Sequence, residues 1–452
     1  MRVDRLEITN FKKFSNYTID LHPQFTLLVG DNGTGKTTIL DALAIAAGIW
    51  LVKSPDTTLN NSRRNILPSE IRLEAIEANV EGFTITQLIE RKPVQVKAIG
   101  SIDHQPVEWL RQIGINGSKT SNTGAKEAQE IISTLFQRVG SYEKLWLPIV
   151  AYYGAGRAWL ASNQRDPKAT LNSSPSRRWD AFYDCFAERI RIADLQNWFQ
   201  KEAIASANRQ GKMRPSFKVV KLAILRCIPH SDDLWFDPER SEIVVSIQGN
   251  PQPFSNLSAG QKMMVGLIAD IAIKIVTQNT SFLSEDLDMD IEKLPQILQQ
   301  TSGLVLIDEI DVHLHPKWQR QVVDDIKKTF PSIQFVCTTH SPFIIQSIEQ
   351  GELRILDFED TQFLEYANQS IEDIAEDIQQ VEVPQQSLKA RELNVATERY
   401  FELLQNSDDS QSEQLAEAEV AYRQAVEPFS SNPGLSAMLK LEAMAKAKEQ
   451  SQ

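Results

Sequence analysis

Cysteine is scarce in this chain. Among 452 residues only Cys185, Cys227 and Cys337 occur, far apart and in no CxxC or Cys/His spacing. A disulfide framework and a zinc site are thereby excluded, and all three read as small buried hydrophobes. Long apolar runs are also missing. No window approaches the ~18 consecutive apolar residues of a membrane span, and the opening MRVDRLEITNF lacks the apolar core of a signal peptide. The expectation is a cytoplasmic protein with no membrane contact. No internal repeat and no sustained heptad is present, which excludes a solenoid and long coiled-coil arms. Positive charge is in deficit: with 47 Lys and Arg against 60 Asp and Glu the net charge is −13. That is the wrong sign for a protein coated in nucleic acid.

What is present is the balance of a soluble globular protein, 42% hydrophobic and 24% charged. The length exceeds one compact core of ordinary size and suggests two lobes, or one large α/β domain with insertions. Charge is unevenly spread. Residues 157–226 hold 14 Lys and Arg against 6 Asp and Glu, whereas residues 349–452 hold 8 against 22. The segments thus carry +8 and −14, an asymmetry that points to separate faces for separate partners. The basic segment is open to two readings, helices that track nucleic acid or amphipathic helices with solvated charge. The acidic tail is either a docking site or a solubilising end.

Val3 to Thr9 and Tyr17 to Leu21 alternate apolar and polar residues like an antiparallel pair, joined by a turn around Lys12 to Asn16. FTLLVG reads as a buried strand, GDNGTGKTT as a loop, and ILDALAIAAGIW as a helix apolar nearly all round. Further strands are expected within 69–99, a helix over 125–139 and a buried strand at LWLPIVAYYG. Residues 160–178, polar with two prolines, read as an exposed loop. Helices are expected over 179–208 and 216–227. From 257 the pattern is a helix (Ala259 to Thr277), an acidic insertion (278–301), strand GLVLIDE, a helix from Pro316, and strands IQFVCTTH and LRILDF. Strands alternating with helices imply an α/β fold with a mixed, largely parallel sheet behind the N-terminal antiparallel strands. The domain reading takes residues 1–156 and 251–384 as the two parts of one nucleotide lobe, 157–250 as a helical insertion lobe and 385–452 as a helical tail.

Gly30-Asp31-Asn32-Gly33-Thr34-Gly35-Lys36-Thr37 fits GxxxxGK[ST], and it stands between a buried strand and a helix. Backbone NH groups from Gly30 through Asn32, Gly33 and Gly35 to Thr38 would wrap the phosphates of ATP. Lys36 would reach the β and γ phosphates, Thr37 would ligate Mg²⁺, and the helix N-terminus adds its positive end. Leu304 to Ile307 form a buried strand ending in Asp308 and Glu309. A parallel strand exposes only its carboxyl end, where open α/β sheets bind ligands. Asp308 would hold Mg²⁺ through water, and Glu309 would orient and polarise the attacking water as a general base.

Leu257-Ser258-Ala259-Gly260-Gln261 opens a helix that Ser258 can cap, and it resembles the LSGGQ signature of ABC ATPases with Ala for the first Gly. In that superfamily the motif of one protomer meets the γ phosphate held by the other, so the resemblance implies trans roles for Ser258, Gly260 and Gln261. His340, in Thr339-His340-Ser341, stands where the superfamily keeps its switch histidine. Asp308 to Pro316 is similar to the D-loop region, but His315 replaces the final Asp, so that role is not carried over. His313 and His315 read as part of a dimer interface rather than a metal site. No residue is assigned to the Q-loop; Arg157, after AYYGAG, is the candidate for a phosphate or trans-acting contact. LEITNFKKF, DEIDVHLHPKWQ and FVCTTHSPF resemble RecF/SMC-type and OLD-like ATPases across most of residues 1–360. AYYGAGRAW, RRWDAFYDCF and QSIEDI are similar to the standalone ATPases of anti-phage defence loci, of the Septu and Septu-like retron type. The resemblance implies an ABC-type ATPase head, a homodimer or higher homo-oligomer that sandwiches ATP and Mg²⁺, and a separate HNH-type nuclease as partner. It departs from OLD in that nothing after 360 supplies the acidic cluster of a TOPRIM nuclease. The competing reading is a RecF-like ATP-dependent DNA clamp.

Overall fold

The computed structural model describes residues 1–55, 59, 63–80, 83–157, 178–356, 369–381, 383–406 and 412–429. It divides into two compact units, Met1–Ile374 and Ala375–Gln452. In chain order the first unit contains β1 (Arg2–Phe11), β2 (Phe14–Asp20), β3 (Phe25–Val29), α1 (Lys36–Ala47), β4 (Leu73–Val80), β5 (Phe83–Glu90), β6 (Val94–Ile102), β7 (Gln105–Ile113), α2 (Lys126–Gly140) and β8 (Ile149–Tyr153). Then follow α3 (Ile192–Asn208), α4 (Pro215–Cys227), β9 (Ser231–Asp237), β10 (Glu242–Ile247), β11 (Asn250–Pro253), α5 (Ala259–Gln278), β12 (Gly303–Ile307), α6 (Pro316–Thr329), β13 (Ile333–Thr338) and β14 (Leu353–Ile355).

The centre is a five-stranded sheet in the order β14-β3-β13-β12-β8, parallel at every pairing. FTLLV, IVAYY, GLVLI and IQFVCT are buried along their whole length. Such runs, without polar alternation, belong to strands covered on both faces. On one face Leu28, Val150, Tyr152, Leu304, Leu306 and Val336 share a core with α1. On the other, the Tyr153 hydroxyl donates to Asp270 Oδ2 of α5 at 2.6 Å. Neighbouring tyrosines thus serve opposite faces, as strand alternation requires.

An antiparallel sheet in the order β2-β1-β6-β7 encloses α1 from the other side. Every second residue of β6 is buried, and its apolar face joins the α1 core. The far end of α1 is fastened there: the Trp109 indole donates to Ala46 O at 3.0 Å, and the fully buried Arg111 donates to the carbonyls of Ile45 and Arg64. These side chains satisfy carbonyls that a helix C-terminus leaves open. A helix pinned at its C-terminus presents its N-terminus at a fixed place.

Two expectations need correction. The helix expected from 179 begins only at Ile192, because Asp184 and Glu188 adopt φ of 54° and 59°, a left-handed backbone that no α-helix admits. Residues 231–253, most of them placed in the helical insertion lobe by the sequence reading, form instead the antiparallel sheet β11-β10-β9; Gln248 and Gly249, with φ of 52° and 74°, make its hairpin turn. Most of the polar segment 160–178, and the tail beyond 429, lie outside the described residues. The second unit is helical where described, with α7 (Leu388–Asn406) and α8 (Ser412–Val426) joined by Tyr400 stacked on Tyr422 at 5.2 Å. No helix among the described residues is long and apolar enough to cross a membrane.

Burial and the neighbouring Asp324 push the Asp325 carboxyl on α6 up to about 6. A carboxyl whose folded pKa is raised opposes folding once ionised; the penalty is absent below the unfolded pKa and complete above the folded one. Because Asp325 is only half-buried, the gain expected from Asp325→Asn is about 1 kcal/mol at pH 8. Urea denaturation at pH 4 and pH 8 checks this, with the gain vanishing at the lower pH.

Candidate nucleotide site

Parallel strands bring their carboxyl ends to one edge, so the segments after β3, β8, β12 and β13 meet there. After β3 the chain turns into α1 through Gly30 to Gly35. Gly35 has φ of 109°, and a Cβ there would stand 2.5 Å from the Phe14 ring, so no side chain fits. Lys36 Nζ folds back on the loop, donating to Gly30 O at 2.7 Å and Asp31 O at 3.0 Å. Asn32, Gly33 and Thr37 are exposed and Thr38 is buried. The Thr34 hydroxyl is buried with no hydrogen-bond partner among the described residues.

Asp308 closes the site from the next strand but one. Its Oδ2 accepts from Thr37 Oγ1 at 3.0 Å and its Oδ1 from Thr338 Oγ1 at 2.6 Å. Thr338 Oγ1 in turn accepts the Glu309 amide at 2.7 Å. Glu309 holds φ of 50°, a left-handed conformation that costs a non-glycine residue about 1–2 kcal/mol. Arg157 helps to hold it. The guanidinium, 1% exposed, donates to Asp308 O at 2.6 Å, Glu309 O at 3.0 Å and Gly154 O at 3.2 Å. The expectation that Arg157 contacts phosphate or acts in trans is therefore corrected: it is a buried clamp on the carbonyls of the acidic turn, and burial lowers its pKa.

Ser258 caps α5 as expected. Its side chain accepts from Gln261 N at 3.3 Å while Gln261 Oε1 accepts from Ser258 N at 2.9 Å, a reciprocal capping box. Ser258 is exposed; Gly260 is buried, and a Cβ on it would approach His313 O to 2.3 Å. The signature helix is thus seated directly on the loop after Asp308. His315 at the end of that loop caps α6, its Nδ1 accepting from Lys317 N at 3.2 Å, which explains a histidine where an aspartate was expected. Among the described residues no His/Cys/Asp/Glu cluster could hold a metal by itself. Around His340, Thr339 Oγ1 bonds Asp311 and Ser341 Oγ donates to Gln319 Oε1 at 2.7 Å. The two neighbours are anchored while His340 itself is exposed.

Other groups at this edge escaped sequence reading. Lys13 Nζ donates to Gly33 O at 2.6 Å, so the β1–β2 turn lies over the glycine loop; the paired lysines of NFKKF were the only signal. Lys12 and Arg64 pair with Asp41 and Glu70 beneath α1. Glu188 and Tyr152 also lie near: burial first, and then the carboxylates of Asp41 and Asp308 among others, raise the pKa of each.

A loop of this form, followed by a helix and faced by an acid-ended strand, defines a P-loop nucleotide-binding ATPase. Family models agree: one described as "AAA domain" matches residues 5–212, and one described as "AAA domain, putative AbiEii toxin, Type IV TA system" matches 162–346. Both stretches are similar to AAA domains, and ATPase activity is what these matches support. It is 25% identical to the retron Vc95 probable ATPase of Vibrio cholerae, over 80% of this chain and 75% of that one. It is 24% identical to the Septu protein PtuA of Bacillus mycoides, over 78% of this chain but only 40% of that protein. A solved SMC head bound to the C-terminal winged-helix domain of ScpA superposes with a TM-score of 0.43 at 17% identity, covering 77% of this chain and 93% of that one.

Thr338→Val keeps the side chain's shape but removes the hydroxyl that links Asp308 to the Glu309 amide. It should destabilise the protein by about 1–3 kcal/mol and lower ATP turnover ~10-fold or more, with little change in nucleotide affinity. Denaturation, steady-state hydrolysis and nucleotide titration read the three effects.

Proposed function

We propose that this edge binds ATP with Mg²⁺ and that ATP closes two copies of the chain face to face, each completing the other's site. The observation that carries the reading is the Thr37–Asp308 hydrogen bond at 3.0 Å. It joins the first turn after the phosphate loop to the acid-ended strand at the spot where a phosphate-bound cation would lie. The cradle fits such a ligand: Thr34 has a buried hydroxyl with no hydrogen-bond partner among the described residues, and the Lys36 ammonium lies against loop carbonyls that it can exchange for phosphate oxygens. Bound Mg²⁺ supplies charge neutralisation of the phosphates. Thr37 and Asp308 would hold it, Glu309 would take the proton of the attacking water, and His340 would meet the γ phosphate. Ser258, Gly260 and Gln261 of a second copy would complete the cage, with the exposed, Ser-capped end of α5 aimed at anionic oxygen.

Nucleotide state then becomes a relation between two protomers, and the similarity to the retron and Septu proteins supports a role as a switch controlling a separate effector nuclease in anti-phage defence. The DNA-clamp alternative would call on the cations of the basic helices, several of which have partners within the chain. Arg209 pairs with Glu285, Arg214 with Glu202 and Lys221 with Asp233, while Lys218 and Arg226 donate to the carbonyls of Leu287 and Ile291. Among the described residues of the basic segment these five cations are engaged within the chain.

Glu309→Gln should bind ATP, fail to hydrolyse it, and accumulate an ATP-bound assembly of larger mass. Light scattering with and without ATP and Mg²⁺ reads this; an unchanged mass with unchanged turnover contradicts the proposal.

A further inference from the structure

One buried oxygen beside the phosphate loop has no role in the reading above. Tyr152 is 2% exposed and faces α1, and its hydroxyl has no hydrogen-bond partner among the described residues. The carboxylates of Asp41, Asp308 and Glu188 all act on that hydroxyl electrostatically. A buried hydroxyl left unpaired costs about 1–3 kcal/mol, and a position that keeps one beside three acids is built to receive something.

Glu188 is delivered to the same place by the backbone. Asp308 N donates to Tyr153 O at 2.8 Å, and on its outer side Tyr153 bridges in parallel to Glu188, whose carbonyl accepts Gly154 N at 2.9 Å. A Cβ on Gly154 would lie 3.1 Å from Glu188 Oε2, so the carboxylate turns back over the end of β8. Its left-handed backbone is what aims it there. The nearby cations are already engaged, since Lys12 and Arg64 pair with Asp41 and Glu70. What remains is a group of carboxylates with a spare buried hydroxyl, yet among the described residues no three acids or histidines are close enough to ligate a metal directly. That suits a cation that keeps most of its water, as Mg²⁺ does.

We propose that Glu188 and the Tyr152 hydroxyl are positioning residues that hold the water shell of the nucleotide-bound Mg²⁺, completing from β8 the seat begun by Thr37 and Asp308. The inference rests on the nucleotide reading above. Both groups act through water, so their loss falls on metal dependence rather than on the phosphate cradle.

The test is a Mg²⁺ titration of the full chain with a fluorescent non-hydrolysable ATP analogue, read by anisotropy, for wild type, Glu188→Gln and Tyr152→Phe. The Mg²⁺ concentration giving half-maximal binding should rise ~10-fold in each variant, with analogue binding in EDTA unchanged. Tyr152→Phe keeps the ring and so guards against misfolding. Identical Mg²⁺ midpoints in wild type and both variants, or an equal loss of binding with and without metal, overturn the assignment while leaving the nucleotide reading intact. A wild type that binds no analogue at any Mg²⁺ concentration overturns both.

Discussion

The Asp308 carboxylate accepts one hydrogen bond from Thr37 at the start of α1 and another from Thr338 at the end of β13. Those two threonines are 301 positions apart in the chain, and the parallel order β3-β13-β12 brings them to a common edge. The joint also reaches Glu309, because Thr338 passes its oxygen on to the Glu309 amide. Loop, acid and strained turn are therefore one hydrogen-bonded body. Its foundations lie deeper: Arg157 below the turn and Arg111 with Trp109 at the far end of α1 each use a buried donor to fix a backbone segment. Buried guanidinium groups persist only where several acceptors repay their desolvation, and both arginines have them.

Against this fixed body the exposed groups stand out. Ser258 and His340 are open to solvent while the residues that flank them are anchored, Gly260 on the His313 carbonyl and Thr339 on Asp311. On the proposed reading His340 meets the γ phosphate held by its own copy, and Ser258 that held by a second copy. The same loop that seats α5 carries Asp308 and Glu309 at its start and caps α6 through His315 at its end, so a change at the phosphate has a short mechanical path into two helices.

Much of this was legible in the sequence. The glycine loop, its flanking strand and helix, and the acid-ended strand are local patterns with strong physical constraints, and all appear as expected. Ser258 was readable as a cap because capping is local too. The failures share a different cause. Arg157 read as a phosphate or trans-acting contact because its actual acceptors are carbonyls, which leave no trace in side-chain patterns. The helix expected from 179 overlooked two left-handed residues, Asp184 and Glu188, which tertiary contacts such as the Arg191–Asp184 ion pair and the pairing of Glu188 with Tyr153 hold in place. That the basic segment reaches into the acidic insertion, through pairs such as Arg209–Glu285 across 76 positions, left no mark in the local sequence pattern.

The central claim is that each active site is shared between two copies. Lys36→Ala removes the phosphate lysine and Ser258→Arg blocks the signature end, so either alone should be nearly inactive. Mixed together, the two variants form some dimers in which one phosphate loop and one signature, both intact, face each other. The account predicts that hydrolysis returns on mixing to roughly a quarter of the wild-type rate, the share set by random pairing in a two-fold dimer. No recovery in a mixture that demonstrably exchanges subunits, or full activity in the Ser258→Arg variant alone, would contradict it.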